Sequence, residues 1–147
     1  DNVDSEEVIK HILSKVKIEY DYIMLLQPTS PLRNSKDIDG SIKKIVDSDF
    51  NSLISISASK FKKKFNVEII KKKFLKFKFD LTKKKKKYFF LNGAIFLDKI
   101  NFILKFSKSF LFQKKNKATF FLIQEKKSID IDTKKDFVKF KKKIRNK

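Results

Sequence analysis

Asp130 and Asp132 flank Ile131 in the segment Ser128-Ile129-Asp130-Ile131-Asp132-Thr133. At a strand end, residues two apart project to the same side, so this pair presents hard oxygen donors together. Such donors suit Mg²⁺, which keeps several waters and bridges one or two carboxylates to phosphate oxygens. The same residues also suit a helix start, with Asp132 or Thr133 capping a helix that carries Phe137, Phe140 and Ile144. A second candidate is Gln27-Pro28-Thr29-Ser30-Pro31-Leu32-Arg33, which sets an amide, two hydroxyls and a guanidinium on a backbone stiffened by two prolines. The loop suits recognition of a polar ligand, and it equally suits a rigid turn. His11, the sole histidine, has no carboxylate or serine partner in view and reads as structural.

These residues need elements to hold them. Tyr22 to Leu26 are apolar without alternation, as in a strand covered on both faces of a parallel sheet, and Pro28 ends it. Asn34 reads as a helix N-cap with Asp37 three residues on, followed by the stripe Ile38, Ile42, Ile45 and Val46. Leu53 to Ile56 is again strand-like. Strand, helix and strand make a βαβ unit, and ligands of open α/β sheets bind beyond the carboxyl ends of the strands, where Gln27 to Arg33 falls.

Before this unit, Asp4 or Ser5 caps a helix running to Val16, with Val8, Ile9, Ile12, Leu13 and Val16 on one face. Beyond it, Phe65, Val67 and Ile69 alternate, as do Leu75, Phe77, Phe79 and Leu81, which predicts an antiparallel hairpin joined across Lys71 to Lys73. Lys83 to Lys87 reads as a solvated loop. Leu91 to Leu97 returns to the core, with Gly93 allowing close approach of a ligand or marking a bulge. Ile100, Ile103 and Leu104 predict a short helix, and Ala118 to Ile123 a further strand.

The chain of 147 residues fits one domain with a real core. It has no cysteine, which excludes disulfides, thiolate metal sites and a cysteine nucleophile. No apolar run approaches the roughly 20 residues of a membrane span, so the expectation is a soluble, cytoplasmic protein without a membrane partner. The net charge of +20 raises nucleic acid as a partner, yet Arg33 and Arg145 are the only arginines among 37 basic residues. Bidentate phosphate and base recognition favours arginine, so the charge supports at most non-specific polyanion binding.

Leu26-Gln27-Pro28-Thr29-Ser30-Pro31-Leu32-Arg33 resembles the hallmark of the acylneuraminate cytidylyltransferases, which make CMP-activated sialic acids and related nonulosonic acids. Asn92-Gly93-Ala94-Ile95-Phe96 and Ser128 to Thr133 resemble two further segments of that family, in the same order. The resemblance implies a mostly parallel, Rossmann-like nucleotidyltransferase sheet flanked by helices, with residues 57–90 as a small antiparallel projecting hairpin that forms a homodimer contact. It implies transfer of CMP from CTP to an acidic nine-carbon sugar, with release of pyrophosphate. Asp130 and Asp132 would be catalytic and hold Mg²⁺. Gln27 would hydrogen-bond the sugar, with Pro28, Thr29 and Ser30 in the substrate loop and Arg33 fixing that loop. Asn92, Gly93 and Phe96 would line the pocket, although the family has tyrosine where Phe96 stands.

Nothing in the chain matches the family's Gly-rich and basic triphosphate loop. A helix leading directly into a central strand is also a rare opening for an α/β domain. Both features predict a partial cytidylyltransferase domain across 1–147 that does not turn over CTP alone. A truncated, non-catalytic copy and a lysine-rich nucleic-acid binder are the alternative readings. On the lysine composition, binding to DNA duplexes is expected to be weak, salt-sensitive and indifferent to sequence. Fluorescence titration checks this; discrimination of about a hundredfold, or roughly 3 kcal/mol, at physiological salt would favour the nucleic-acid reading.

Overall fold

The computed structural model describes residues 5–16, 19–60, 65–72, 74–77, 88–106 and 118–145. The elements in chain order are α1 (Ser5–Lys15), β1 (Tyr22–Leu25), α2 (Ser35–Val46), β2 (Ser52–Ser59), β3 (Asn66–Ile70), β4 (Phe74–Phe77), β5 (Tyr88–Lys99), α3 (Ile100–Phe106), β6 (Thr119–Leu122) and α4 (Lys134–Arg145). A single 3-10 turn, Glu125–Lys127, follows β6. Asp4, Phe79, Leu81 and Lys83 to Lys87, singled out in the sequence, lie outside the described residues.

Asn34 starts α2 as its spacing predicts. Its side chain accepts from Asp37 N at 3.1 Å, and Asp37 accepts from Asn34 N at 3.0 Å, which closes a capping box. The apolar face of α2 then buries Ile45 and part of Ile38 against Leu53, Ala94, Ile95, Leu97 and Ile123. Gly40 brings the helix close to β6, since a Cβ there would stand 2.7 Å from the Phe121 ring.

The α/β class holds, but the sheet is not mostly parallel. Among the described strands only β2 and β6 pair in parallel; β1, β2 and β3 pair antiparallel with β5, and β3 pairs antiparallel with β4. β1 and β2 run the same way, because each is antiparallel to β5, so the strand-helix-strand direction is kept while β5 lies between them. The apolar runs Tyr22–Leu25 of β1, half-buried, and Ala94–Leu97 of β5, buried, report burial alone, and burial carries no information about direction.

The hairpin forms where alternation places it, yet its described part does not stand away from the sheet. β3 pairs with the start of β5, and Leu75 N on β4 donates to Ala118 O, next to β6, at 2.9 Å. Those strands are the two ends of the order β4-β3-β5-β2-β6, so the sheet curls until its ends touch. Ile54, Ile56, Val67, Leu75, Phe96 and Ala118 fill the inside of the curl. The mutation Leu75→Ala is therefore expected to cost about 2–5 kcal/mol in chemical denaturation, the price of a core cavity. A cost below about 0.5 kcal/mol, as at an exposed site, would show that the hairpin is peripheral.

Candidate functional site

The site starts at a bulge. Ile54 pairs with Phe96 and Ile56 with Leu91, so a two-residue step on β2 faces a five-residue step on β5. Asn92 holds the slack. Its Oδ1 accepts from Ser55 Oγ at 2.6 Å and Ala94 N at 3.1 Å, while its Nδ2 donates to Ser57 Oγ at 2.9 Å. Ser55 Oγ also accepts from Ile95 N at 2.8 Å, and Ser57 Oγ donates to Ile123 O at 2.7 Å. Within the bulge Gly93 adopts φ +73°, a conformation that side chains disfavour.

Gly93 is where three distant segments meet. A Cβ built on it would lie 2.6 Å from Gln27 Oε1 and 3.5 Å from Asp130 Oδ2, so any side chain would displace the Gln27 carboxamide. Gln27 is half-buried, and its side chain makes no hydrogen bond among the described residues. Asp130 Oδ1 is likewise buried without a partner among them. A buried carboxylate oxygen without a protein partner is costly unless an ordered water, an ion or a ligand satisfies it.

The loop after β1 is held from several sides. Arg33 donates from one guanidinium nitrogen to Ala94 O at 2.6 Å and Gln27 O at 3.2 Å, which joins both ends of the site through one cation. Burial lowers the guanidinium's pKa and the Asp37 carboxylate opposes that shift; arginine stays charged regardless. Ile131 N donates to Thr29 O at 2.9 Å, tying the Asp130 segment to the loop. Lys127 reaches both Asp37 oxygens at 2.9 and 3.0 Å, locking the 3-10 turn to the start of α2.

The expected site residues divide accordingly. Gln27, Gly93 and Asp130 come together around one point. Pro28 is exposed, Thr29 contributes its carbonyl, and Ser30 is fully buried, with its hydroxyl 3.5 Å from Asn92 O. Asn92 and Phe96 are both engaged within the sheet. The Asn92 amide is consumed by the bulge, and Phe96, 8% exposed, lies in the core with Ile54, Val67 and Leu75. Asp130 and Asp132 sit not at a strand end but on irregular chain between the 3-10 turn and α4, with Asp132 exposed. Sequence reasoning missed Ser55, Ser57 and Lys127; serines inside an apolar strand were the visible signal for the first two.

Asp132 is also not the cap of α4. Thr133 Oγ1 accepts from Asp136 N at 3.2 Å and donates to Asp136 Oδ2 at 2.6 Å. That bond chiefly, and then one from Lys139, holds the Asp136 carboxyl below its ordinary 3.8. A depressed folded-state pKa means its stabilisation is present above the unfolded value and is lost as the pH falls through the folded one.

Beside Asp130 an open cleft of about 380 Å³ is lined by Phe90, Glu125, Ser128, Ile129, Asp136 and Lys139. Its size lies at the lower end for small-molecule sites, which span about 300–1,000 Å³. Among the described residues no group of three or more histidines and carboxylates converges on a point.

No protein-family model matches the chain, and no curated protein matches it. The functional reading consequently stands on the motif residues and their convergence. Since Thr133 caps α4, Thr133→Ala is expected to lower stability by about 1 kcal/mol, and Asp132→Ala by less than about 0.5 kcal/mol. Thermal melts of both variants check this, and the reverse order would return Asp132 to a capping role.

Proposed function

We propose that the chain is a nucleotidyltransferase of the acylneuraminate cytidylyltransferase type, joining CMP from CTP to a nonulosonic acid. The observation that carries this reading is the meeting of Gln27, Gly93 and Asp130, which come from the three motif segments of the resemblance. A structural turn or a bulge alone gives no reason for the Gln27 and Asp130 side chains to meet at Gly93.

In the proposed reaction the sugar's anomeric hydroxyl attacks the α-phosphorus of CTP. A new P–O bond forms, the bond to pyrophosphate breaks, and the hydroxyl proton passes to a base. Little covalent chemistry falls to the protein, so positioning and charge dominate. Gln27 offers its free carboxamide to the sugar, and Gly93 leaves room beside it. Arg33 keeps the loop and bulge in register through the Gln27 and Ala94 carbonyls. Asp130 and Asp132 would hold Mg²⁺, which when bound neutralises charge on phosphate oxygens. A homodimer contact by residues 57–90 would have to use surfaces other than the β4 backbone at Leu75, which already meets Ala118, and the cytoplasm, where CTP is made, would be the place of action.

Two measurements test the reading. In a version of the protein supplied with a triphosphate-binding loop, pyrophosphate release from CTP and a nonulosonic acid should require Mg²⁺, and Asp130→Asn should lower it about a hundredfold or more without loss of stability. In the 147-residue chain, adding N-acetylneuraminate should shift the amide resonances of Gln27 and Gly93. Full turnover by the Asp130→Asn variant, or no shift at those amides, would overturn the assignment.

A further inference from the structure

The structure assigns a second surface, on α4, to the face of an anionic lipid bilayer. The twelve residues of α4 include six lysines, Arg145 and a single acid, Asp136. None of them is buried, and Phe137, Val138 and Ile144 remain 45%, 51% and 46% exposed. At 3.6 residues per turn Phe137, Phe140 and Ile144 fall within a sector of about 60°, forming one narrow apolar stripe. The Phe137 and Phe140 rings stack at 6.4 Å, which makes the stripe continuous.

The chemistry on the two sides of this helix selects its partner. A nucleic acid would satisfy the lysines and leave the aromatic stripe in water. A bilayer surface with acidic headgroups takes both, because the stripe enters the acyl boundary while the ammonium groups stay among the phosphates. The stripe and the charge are neighbours on the helix: Lys141 Nζ lies over the Phe137 ring, 4.9 Å from its centre, and its stem is long enough to carry the charge to the headgroups. The overall charge of +20 would add long-range attraction to such a surface. Of the residues that line the cleft beside Asp130, Lys139 lies about 100° round the helix from Phe140 and Asp136 about 40° from it, so the cleft borders the docking face. That no helix among the described residues is long and apolar enough to cross a membrane does not bear on a helix that lies on the surface, and this inference is independent of the proposed reaction.

Vesicle flotation tests it, with phosphatidylcholine alone and with phosphatidylcholine mixed with phosphatidylglycerol. The protein should bind only the mixed vesicles, less so as salt rises. The double variant Phe137→Ser, Ile144→Ser should bind them about tenfold or more weakly with its circular dichroism unchanged. As the chain has no tryptophan, Phe137→Trp gives a sole reporter whose emission should shift to the blue on mixed vesicles. The inference is overturned if the protein ignores the mixed vesicles or if the double serine variant binds equally well. It is overturned also if the Phe137→Trp emission shifts blue on duplex DNA or on self-association instead.

Discussion

The side-chain amide of Asn92 is the interaction on which the site depends. It satisfies Ser55, Ser57 and Ala94 at once, inside a bulge where β5 carries more residues than β2 can pair. Without that amide, the surplus backbone of β5 would leave buried polar groups unpaired, each costing about 1–3 kcal/mol. The geometry has a further effect. By turning the chain at Asn92, the bulge presents Gly93 to the loop after β1 and frees the Ala94 carbonyl for Arg33.

Around that point, charge does the fastening. Arg33 spans the bulge and the loop, while Asp37 combines helix capping with a two-pronged contact to Lys127. Asp37 is 7% exposed and the Lys127 side chain 25%, so this pair is shielded far more than the lysines at the surface. A shielded, doubly hydrogen-bonded pair defines geometry better than an exposed one, because fewer side-chain arrangements compete with it. The order of the segments follows: loop to bulge through Arg33, turn to helix through Lys127, and loop to the Asp130 segment through the Thr29 carbonyl.

Much of this was legible in the sequence. Period and capping chemistry placed α2, both hairpin strands and, to within three residues, the end of β1 before Pro28, because local pattern decides them. Strand direction was not legible, since Leu91 to Leu97 would read the same in either orientation once both faces are covered. Nor were the true ends of β2 and β5. Ser57 and Ser59 look like loop residues but are buried within β2, with Ser57 engaged by Asn92 and Ile123. For the site, motif spacing brought out Gln27, Gly93 and Asp130. The sheet contacts of Asn92 and Phe96 were not legible, because a polar or aromatic residue near a glycine looks the same whether it serves a ligand or the sheet. Lys127 was lost among 37 basic residues, where no sequence cue separates one lysine with a buried partner from the rest.

The curl of the sheet has a bearing on association that its packing does not convey. Where Leu75 meets Ala118, the two outer ends of the strand order engage each other, so a foreign strand finds less free backbone there. β1 differs. It is hydrogen-bonded to β5 alone, and Tyr22 to Leu25 contain no proline, lysine or bulge of the kind that blunts an edge. Among the described strands, β1 is thus the natural template for sheet growth, whether the incoming strand belongs to a productive partner or to a misassembled neighbour.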